Sequence, residues 1–281
     1  MNNLIFPIKG FTHAGVFHAD DVFSTALLKI LNPDFVWERG TSVPEDYDGI
    51  VYDIGGGRFD HHQAEARVRE NGVPYAAFGL IWEQFGSDLV GEEEAVLFDK
   101  EFVQTIDYTD NTGKKNILSS VIHDMNPEWD EEISYDEAFS AAVDYAFITL
   151  ETALKHIRAK KKANRLVKER IPEARNNILE LGDFMPWRDA LRDSNINYVI
   201  YKSNRSGFCI QTVPHREGLV SEYVFKSDWR GRTKEELEEI TGIKGFTFCH
   251  NGGFLCVTDT IDAAWKVAEL NQISGESKDG Y

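Results

Sequence analysis

Apolar positions recur along this chain with two different periods, and the switches between them mark its elements. An apolar segment closing on Gly10-Phe11-Thr12 reads as the end of a first strand. Residues 21–31 then take helical spacing, with Val22, Phe23, Ala26, Leu27, Ile30 and Leu31 on one broad face, and Asn32-Pro33 stops them. Phe35-Val36-Trp37 and residues 50–54 are short strand candidates, the second bounded by Gly49 and Gly55-Gly56-Gly57. Residues 75–85 and 92–105 read as helices. The longest periodic stretch, 139–170, turns strongly basic from Lys155 and ends at Pro172. Residues 198–201 and 208–213 flank Asn204-Arg205-Ser206-Gly207, and 246–249 and 254–257 flank His250-Asn251-Gly252-Gly253, so two hairpins are predicted. An amphipathic helix over 261–270 and a polar, frayed tail over 274–281 close the chain. There is no internal repeat.

Strand–helix–strand–strand with turn punctuation predicts an α/β fold. We expect a mostly parallel sheet flanked by helices over residues 1–172, then a smaller α+β domain over 173–281. In such sheets ligands sit beyond the carboxyl ends of the strands.

Composition narrows the function. A length of 281 residues, 42% of them hydrophobic and 18 of them Phe, supports two domains with sizeable cores. A net charge of −17 argues against broad, non-specific binding to nucleic acid or anionic membranes, although metals or a local basic face still permit a polyanionic substrate. The three cysteines form no CxxC pair, which suits a reduced compartment. Neither a secretory-type start nor a membrane-length apolar run is present, so a cytoplasmic protein is expected, compatible with an oligomer.

Candidate chemistry clusters where the strands end. His13, His18, Asp20 and Asp21 share one strand-to-helix turn, Asp53 ends a strand, and Asp60-His61-His62 follows; these hold four of the eight histidines. Asp21 either caps the helix at 21–31 or binds a ligand. Asp53 is either a turn residue or a metal ligand. Adjacent His61 and His62 can divide the work, one on a metal and one on a phosphoryl oxygen. Asp107 and Asp110, spaced i, i+3, place both carboxylates on one side of a helix end, where a cation would relieve them; either a solvated helix end or a ligand role fits. Mixed His and Asp donors suit Mn²⁺, and also Mg²⁺, Co²⁺ or Zn²⁺. Six to seven such groups are enough for two ions sharing a bridging Asp.

The set Thr12-His13-x-Gly15-x-Phe17-His18-x-Asp20-Asp21, Asp53-Ile54-Gly55-Gly56 and Phe59-Asp60-His61-His62-Gln63 resembles the melanocyte-proliferating-gene family. That family is a group of metal-dependent hydrolases related to the DHH phosphoesterases. The likeness continues through Asp107-x-x-Asp110-Asn111, Asn126-Pro127-x-Trp129, Pro186-Trp187, Trp229-Arg230-Gly231 and His250-x-x-Gly253-Phe254. It implies a Mn²⁺-dependent 3′→5′ RNA exonuclease with a DHH-type catalytic domain and a C-terminal substrate domain. On the superfamily's first motif, His13 matches the His and Asp20 the second Asp; His18 stands in place of the first Asp, in a loop one residue longer.

The expected two-metal site comprises His13, His18, Asp20, Asp53, His61 and Asp107 or Asp110, with Asp53, His61 and His62 acting on an RNA or short oligonucleotide. His250, Gly252, Gly253, Arg230 and Arg216 are expected to contact that substrate, through an arginine cluster and turn N–H groups. A small-molecule phosphatase or pyrophosphatase on the same centre is the alternative. A metal-stabilised binding protein without activity is the other.

Overall fold

The computed structural model describes residues 6–214 and 224–273. Arg216 and the tail from residue 274 lie outside the described residues. The chain divides into two compact units, Met1–Arg158 and Ala159–Tyr281.

In the N-terminal unit, β1 (Lys9–His13), β2 (Val36–Gly40) and β3 (Ile50–Val51) form a parallel sheet in the order β2-β1-β3. The central strand is the most buried, which explains its run Gly10-Phe11-Thr12. Helix α1 (Ala19–Leu31) connects β1 to β2 and buries Val22, Phe23, Ala26 and Leu27 completely. Helices α2 (Ala77–Val90), α3 (Glu92–Phe98), α4 (Gln104–Thr112), α5 (Ile117–His123) and the first part of α6 (Tyr135–Arg170) complete the layer. Phe23, Phe78, Trp82 and Phe139 belong to one core.

The stretch read as one helix over 92–105 is divided by a π-helical turn, Asp99–Val103. That turn stacks Phe98 on Phe102, with ring centroids 4.9 Å apart, while Asp99 keeps a bidentate grip on Arg69. A regular helical period carries no sign of such an inserted residue.

The C-terminal unit holds a mixed sheet in the order β4-β5-β6-β8-β7. Its strands are β4 (Ile178–Asp183), β5 (Tyr198–Lys202), β6 (Phe208–Thr212), β7 (Phe246–Cys249) and β8 (Leu255–Thr258). Only β4 and β5 pair in parallel; the two hairpins, β5–β6 and β7–β8, are antiparallel, as is β6–β8. The parallel sheet expected over residues 1–172 is present with three strands, and the α+β unit expected after it carries the larger, mixed sheet with both hairpins. Short hairpin loops force antiparallel neighbours there. Helices α7 (Arg188–Leu191), α8 (Lys234–Thr241) and α9 (Ile261–Ile273) accompany it. Pro172 sits in a 3₁₀ turn, Ile171–Glu173, that ends α6, whereas the division between units falls earlier, within α6 itself.

Candidate metal centre

Parallel strands β1 and β3 end side by side, so His13, the last residue of β1, meets the chain leaving β3. That chain turns sharply at Asp53, whose φ of +56° is left-handed, a conformation Asp tolerates better than most residues. The Asp53 N–H donates to the Phe59 carbonyl at 3.0 Å and fixes the turn. The start of α1 adds Asp20 and Asp21, the loop after Phe59 adds His61 and His62, and α4 adds Asp110.

Two braces shape the loop from His13 to His18. Arg39 of β2 donates from Nε to the His13 carbonyl (3.1 Å) and from Nη2 to the Gly15 carbonyl (2.8 Å). Its guanidinium lies 4.2 Å from the Phe139 ring centroid and pairs with Asp136. Gly15, at φ +85°, supplies a bend that a side chain would strain. Across the loop, Asn126 accepts the Phe17 N–H and donates to the Phe17 carbonyl, both at 3.0 Å.

Three donor groups result: His13, Asp21 and Asp53; His18, Asp20 and Asp110; and Asp53, His61 and His62. Within each, one ligand atom per residue lies within 4.8 Å of the others. Asp53 belongs to two groups. Its Oδ2 lies 3.2 Å from His13 Nε2 and its Oδ1 3.1 Å from His61 Nε2. His61 Nε2 is also 3.3 Å from Asp110 Oδ2 and 3.5 Å from Asp20 Oδ2. Asp21 is the third residue of α1 rather than its N-cap, which is His18, and its two oxygens point to different partners. Its Oδ1 accepts the His18 N–H at 2.9 Å, capping α1, while Oδ2 faces His13 Nε2 at 3.2 Å.

Many of these close approaches lack hydrogen-bond geometry. Asp20 Oδ1, Asp21 Oδ2, Asp53 Oδ1 and His61 Nε2 are buried without a hydrogen-bond partner among the described residues. Orphaned buried donors and acceptors are rare, and buried carboxylates are ordinarily paired or bound to metal. Imidazole nitrogens and carboxylate oxygens converging without bonding one another fit divalent cations. The protonation tendencies agree. Burial, then the charges of Asp53, Asp110 and Asp21, pushes Asp20 well above the carboxylate range. Burial also raises Asp21 against the pull of His13. For Asp53, burial is outweighed by His13 and His61, which hold it down to about 2. Burial works against the His61 proton too, yet Asp53 and then Asp110 raise it.

Supporting residues orient these donors. Asn111 Oδ1 lies 3.4 Å from His61 Nδ1, so Nε2 faces the carboxylates. Asp60 accepts the N–H groups of Gly56 (2.6 Å) and His62 (3.0 Å) and lies 2.9 Å from His62 Nδ1. His62 itself remains 63% exposed. The first turn of α2 points at Asp20, with the Ala77 N–H 3.4 Å from its Oδ2. A cavity of about 700 Å³ opens beside the centre, lined by His18, His61, His62, Asp110, Lys115 and Ser119 among others.

Asp107 is not brought to this centre. It is fully buried, accepts the Gly79 N–H at 3.0 Å and pairs with Arg69 at 2.8 Å. The expected shared side of the helix fails because both residues lie inside α4, where an offset of three positions turns a side chain by about 60°. That rotation sends Asp107 to α2 and Asp110 to His61.

In the C-terminal unit, the turn N–H groups expected to meet a phosphate are engaged internally. Gly252 donates to His250 Nδ1 (2.9 Å) and Gly253 to the His250 carbonyl (2.8 Å). Arg230 braces the same turn through the Phe225 carbonyl, with bonds of 2.8 and 2.6 Å. A methyl group on Gly253 would come within 2.7 Å of the Arg230 guanidinium.

Similarity to known proteins extends over most of the chain. The chain is similar to the MYG1 protein YER156C of Saccharomyces cerevisiae, 26% identical over 92% of this chain and 94% of the relative. It is similar to proteins named MYG1 exonuclease from Mus musculus and Homo sapiens, each 27% identical over 95% of this chain and 85% and 86% of theirs. No solved structure matches. The MYG1 exonuclease model, described as "Uncharacterised protein family (UPF0160)", matches residues 9–271, and the chain accordingly belongs to that family.

Proposed function

We propose that this protein is a Mn²⁺-dependent phosphodiesterase of the DHH type that removes nucleotides from the 3′ end of RNA or short oligonucleotides. One observation carries the reading: the two oxygens of buried Asp53 face different imidazoles, at 3.2 and 3.1 Å, so a single carboxylate serves adjoining donor groups. Two divalent ions would be held, one by His13, Asp21 and Asp53 and the other by Asp53 and His61 with Asp20, Asp110 and His18 beside them, and would supply Lewis-acid activation of water and the phosphodiester. His62, exposed and fixed through Nδ1 by Asp60, meets the phosphate and offsets charge as the bond breaks. Asp107 with Arg69 supports α4 and thereby Asp110. In the C-terminal unit His250, its Nδ1 occupied by Gly252, offers Nε2 to a nucleotide, and Arg230 holds the turn.

The test supplies Mn²⁺ to metal-stripped protein with pyrophosphate, a dinucleotide and a 5′-labelled oligoribonucleotide side by side. A Mn²⁺-dependent ladder shortening one nucleotide at a time from the 3′ end is expected. Asp53→Ala should abolish it while leaving the circular dichroism spectrum unchanged. Consumption of pyrophosphate alone would overturn the nuclease reading in favour of a small-molecule phosphatase.

A further inference from the structure

A second cavity is built wholly from the C-terminal unit and shares no residue with the metal centre. It holds about 480 Å³, within the usual range for a small-molecule site. Buried Trp187 is among its lining residues, and beside it stands Phe184, 58% exposed, its ring centroid 5.1 Å from that of Tyr201. An aromatic ring so exposed at the lip of a cavity contributes little to folding. The cavity also holds amide groups. Asn164 carries a buried side-chain oxygen with no hydrogen-bond partner among the described residues. Gln211 accepts the Tyr201 hydroxyl through Oε1 at 2.7 Å, which leaves its amide nitrogen to donate elsewhere. The charged lining residues are predominantly basic. Lys160 sits one helical turn before Asn164 on α6 and pairs with Asp189 at 2.7 Å. The Arg188 guanidinium lies 5.3 Å from the Trp187 ring centroid.

An aromatic face, an amide edge with an unmet acceptor, and cations nearby together match one chemistry. We infer that this cavity is a nucleobase site that stacks a base on Phe184, reads its hydrogen-bonding edge with Asn164 and Gln211, and lays its phosphate toward Lys160 and Arg188. The base arrives either on a free nucleotide or within a single strand; only the second source rests on the nucleolytic function proposed above. Aromatic stacking tolerates any base, whereas the orphaned Asn164 oxygen favours bases with an exocyclic amine.

The test uses full-length protein in EDTA, where no turnover occurs, and measures dissociation constants for AMP, ribose 5-phosphate and a short oligoadenylate. Wild type should bind AMP or the oligonucleotide and discriminate against ribose 5-phosphate. Phe184→Ala should weaken the base-bearing probes roughly five- to a hundredfold. Asn164→Ala should weaken AMP more than a uridine counterpart. Loss confined to the oligonucleotide identifies a strand-binding site; loss confined to AMP identifies a free-nucleotide site. Unchanged constants in both variants, failure of wild type to bind either base-bearing probe, or equal weakening of ribose 5-phosphate overturns the proposal. Mn²⁺-dependent cleavage of bis(p-nitrophenyl) phosphate by the wild type is measured in parallel. Its absence in wild type would defeat the hydrolase reading while leaving the binding result to stand by itself.

Discussion

His13 holds its proton because of its neighbours. Burial alone would remove it, but Asp21 and Asp53 reverse that and raise the imidazole to about 10 from its ordinary 6.5. A raised imidazole contributes stability that is complete below 6.5 and is lost as pH climbs toward 10. Asp53, held down to about 2, contributes stability that is present above 3.8 and fades as pH falls through 2. Without metal the His13–Asp53 pair is therefore most favourable between roughly pH 4 and 6.5. A cation requires its imidazole ligands neutral and its carboxylates ionised, so Mn²⁺ uptake at neutral pH should release protons, from His13 foremost, and strengthen with rising pH. Calorimetric titrations in buffers of different ionisation enthalpy will count those protons, and His13→Gln should lower the count. The two acids of α4 separate in a different measurement. Asp110→Asn should lower turnover by about a hundredfold or more with the melting point little changed. Asp107→Leu leaves Arg69 with Asp99 alone and the buried Gly79 N–H without its acceptor, and should destabilise by about 1–3 kcal/mol, read by urea unfolding, while molecules that remain folded keep their activity.

At the level of elements, the centre depends on the loop between β1 and α1 more than on either element. Asn126→Ala removes both bonds to Phe17 and should destabilise by about 1–3 kcal/mol. It should also raise the Mn²⁺ concentration needed for half-maximal activity, with turnover recovering at saturating metal. An unchanged metal requirement would remove Asn126 from the loop's support. The apolar periods of β1, α1 and both C-terminal hairpins were readable in the sequence because each has one dominant buried side and clear punctuation. Three features were not. The strand β4 follows Asn176 and Asn177, both left-handed, and resembles a loop until β5 pairs with it. Helix α8 starts at a capping box, Thr233 with Glu236, whose short amphipathic run is easily passed over. The π turn before α4 follows from stacking and from Arg69, not from any local preference. Within the site, His13, His18, Asp20, Asp53 and His61 could be named from their density alone, but the choice between Asp107 and Asp110 could not. Arg69 and Gly79, which claim Asp107, lie 38 and 28 residues before it in the chain.

Across the molecule, the metal donors all belong to one unit, and each unit has its own core. Mn²⁺ should therefore stabilise unequally. A ligand at about a hundred times its dissociation constant adds about 2.7 kcal/mol to whatever binds it. Scanning calorimetry with and without EDTA should show the gain in the transition of the N-terminal unit, while that of the C-terminal unit stays in place. Equal displacement of all transitions would mean that the two unfold as one. The charge of −17 bears on the same scale. It discourages indiscriminate contact with polyanions, so any nucleic acid must be recognised locally, through cations and the few basic side chains near a site. The braces on the His13–His18 loop carry one more consequence. Arg39 and Asn126 grip main-chain atoms of His13, Gly15 and Phe17, and Val16 projects 45% exposed. The identity of the residue at position 16 is thus uncoupled from the placement of the candidate donors, leaving a spot where this protein can drift in sequence, or be labelled with a reporter, without disturbing the cluster.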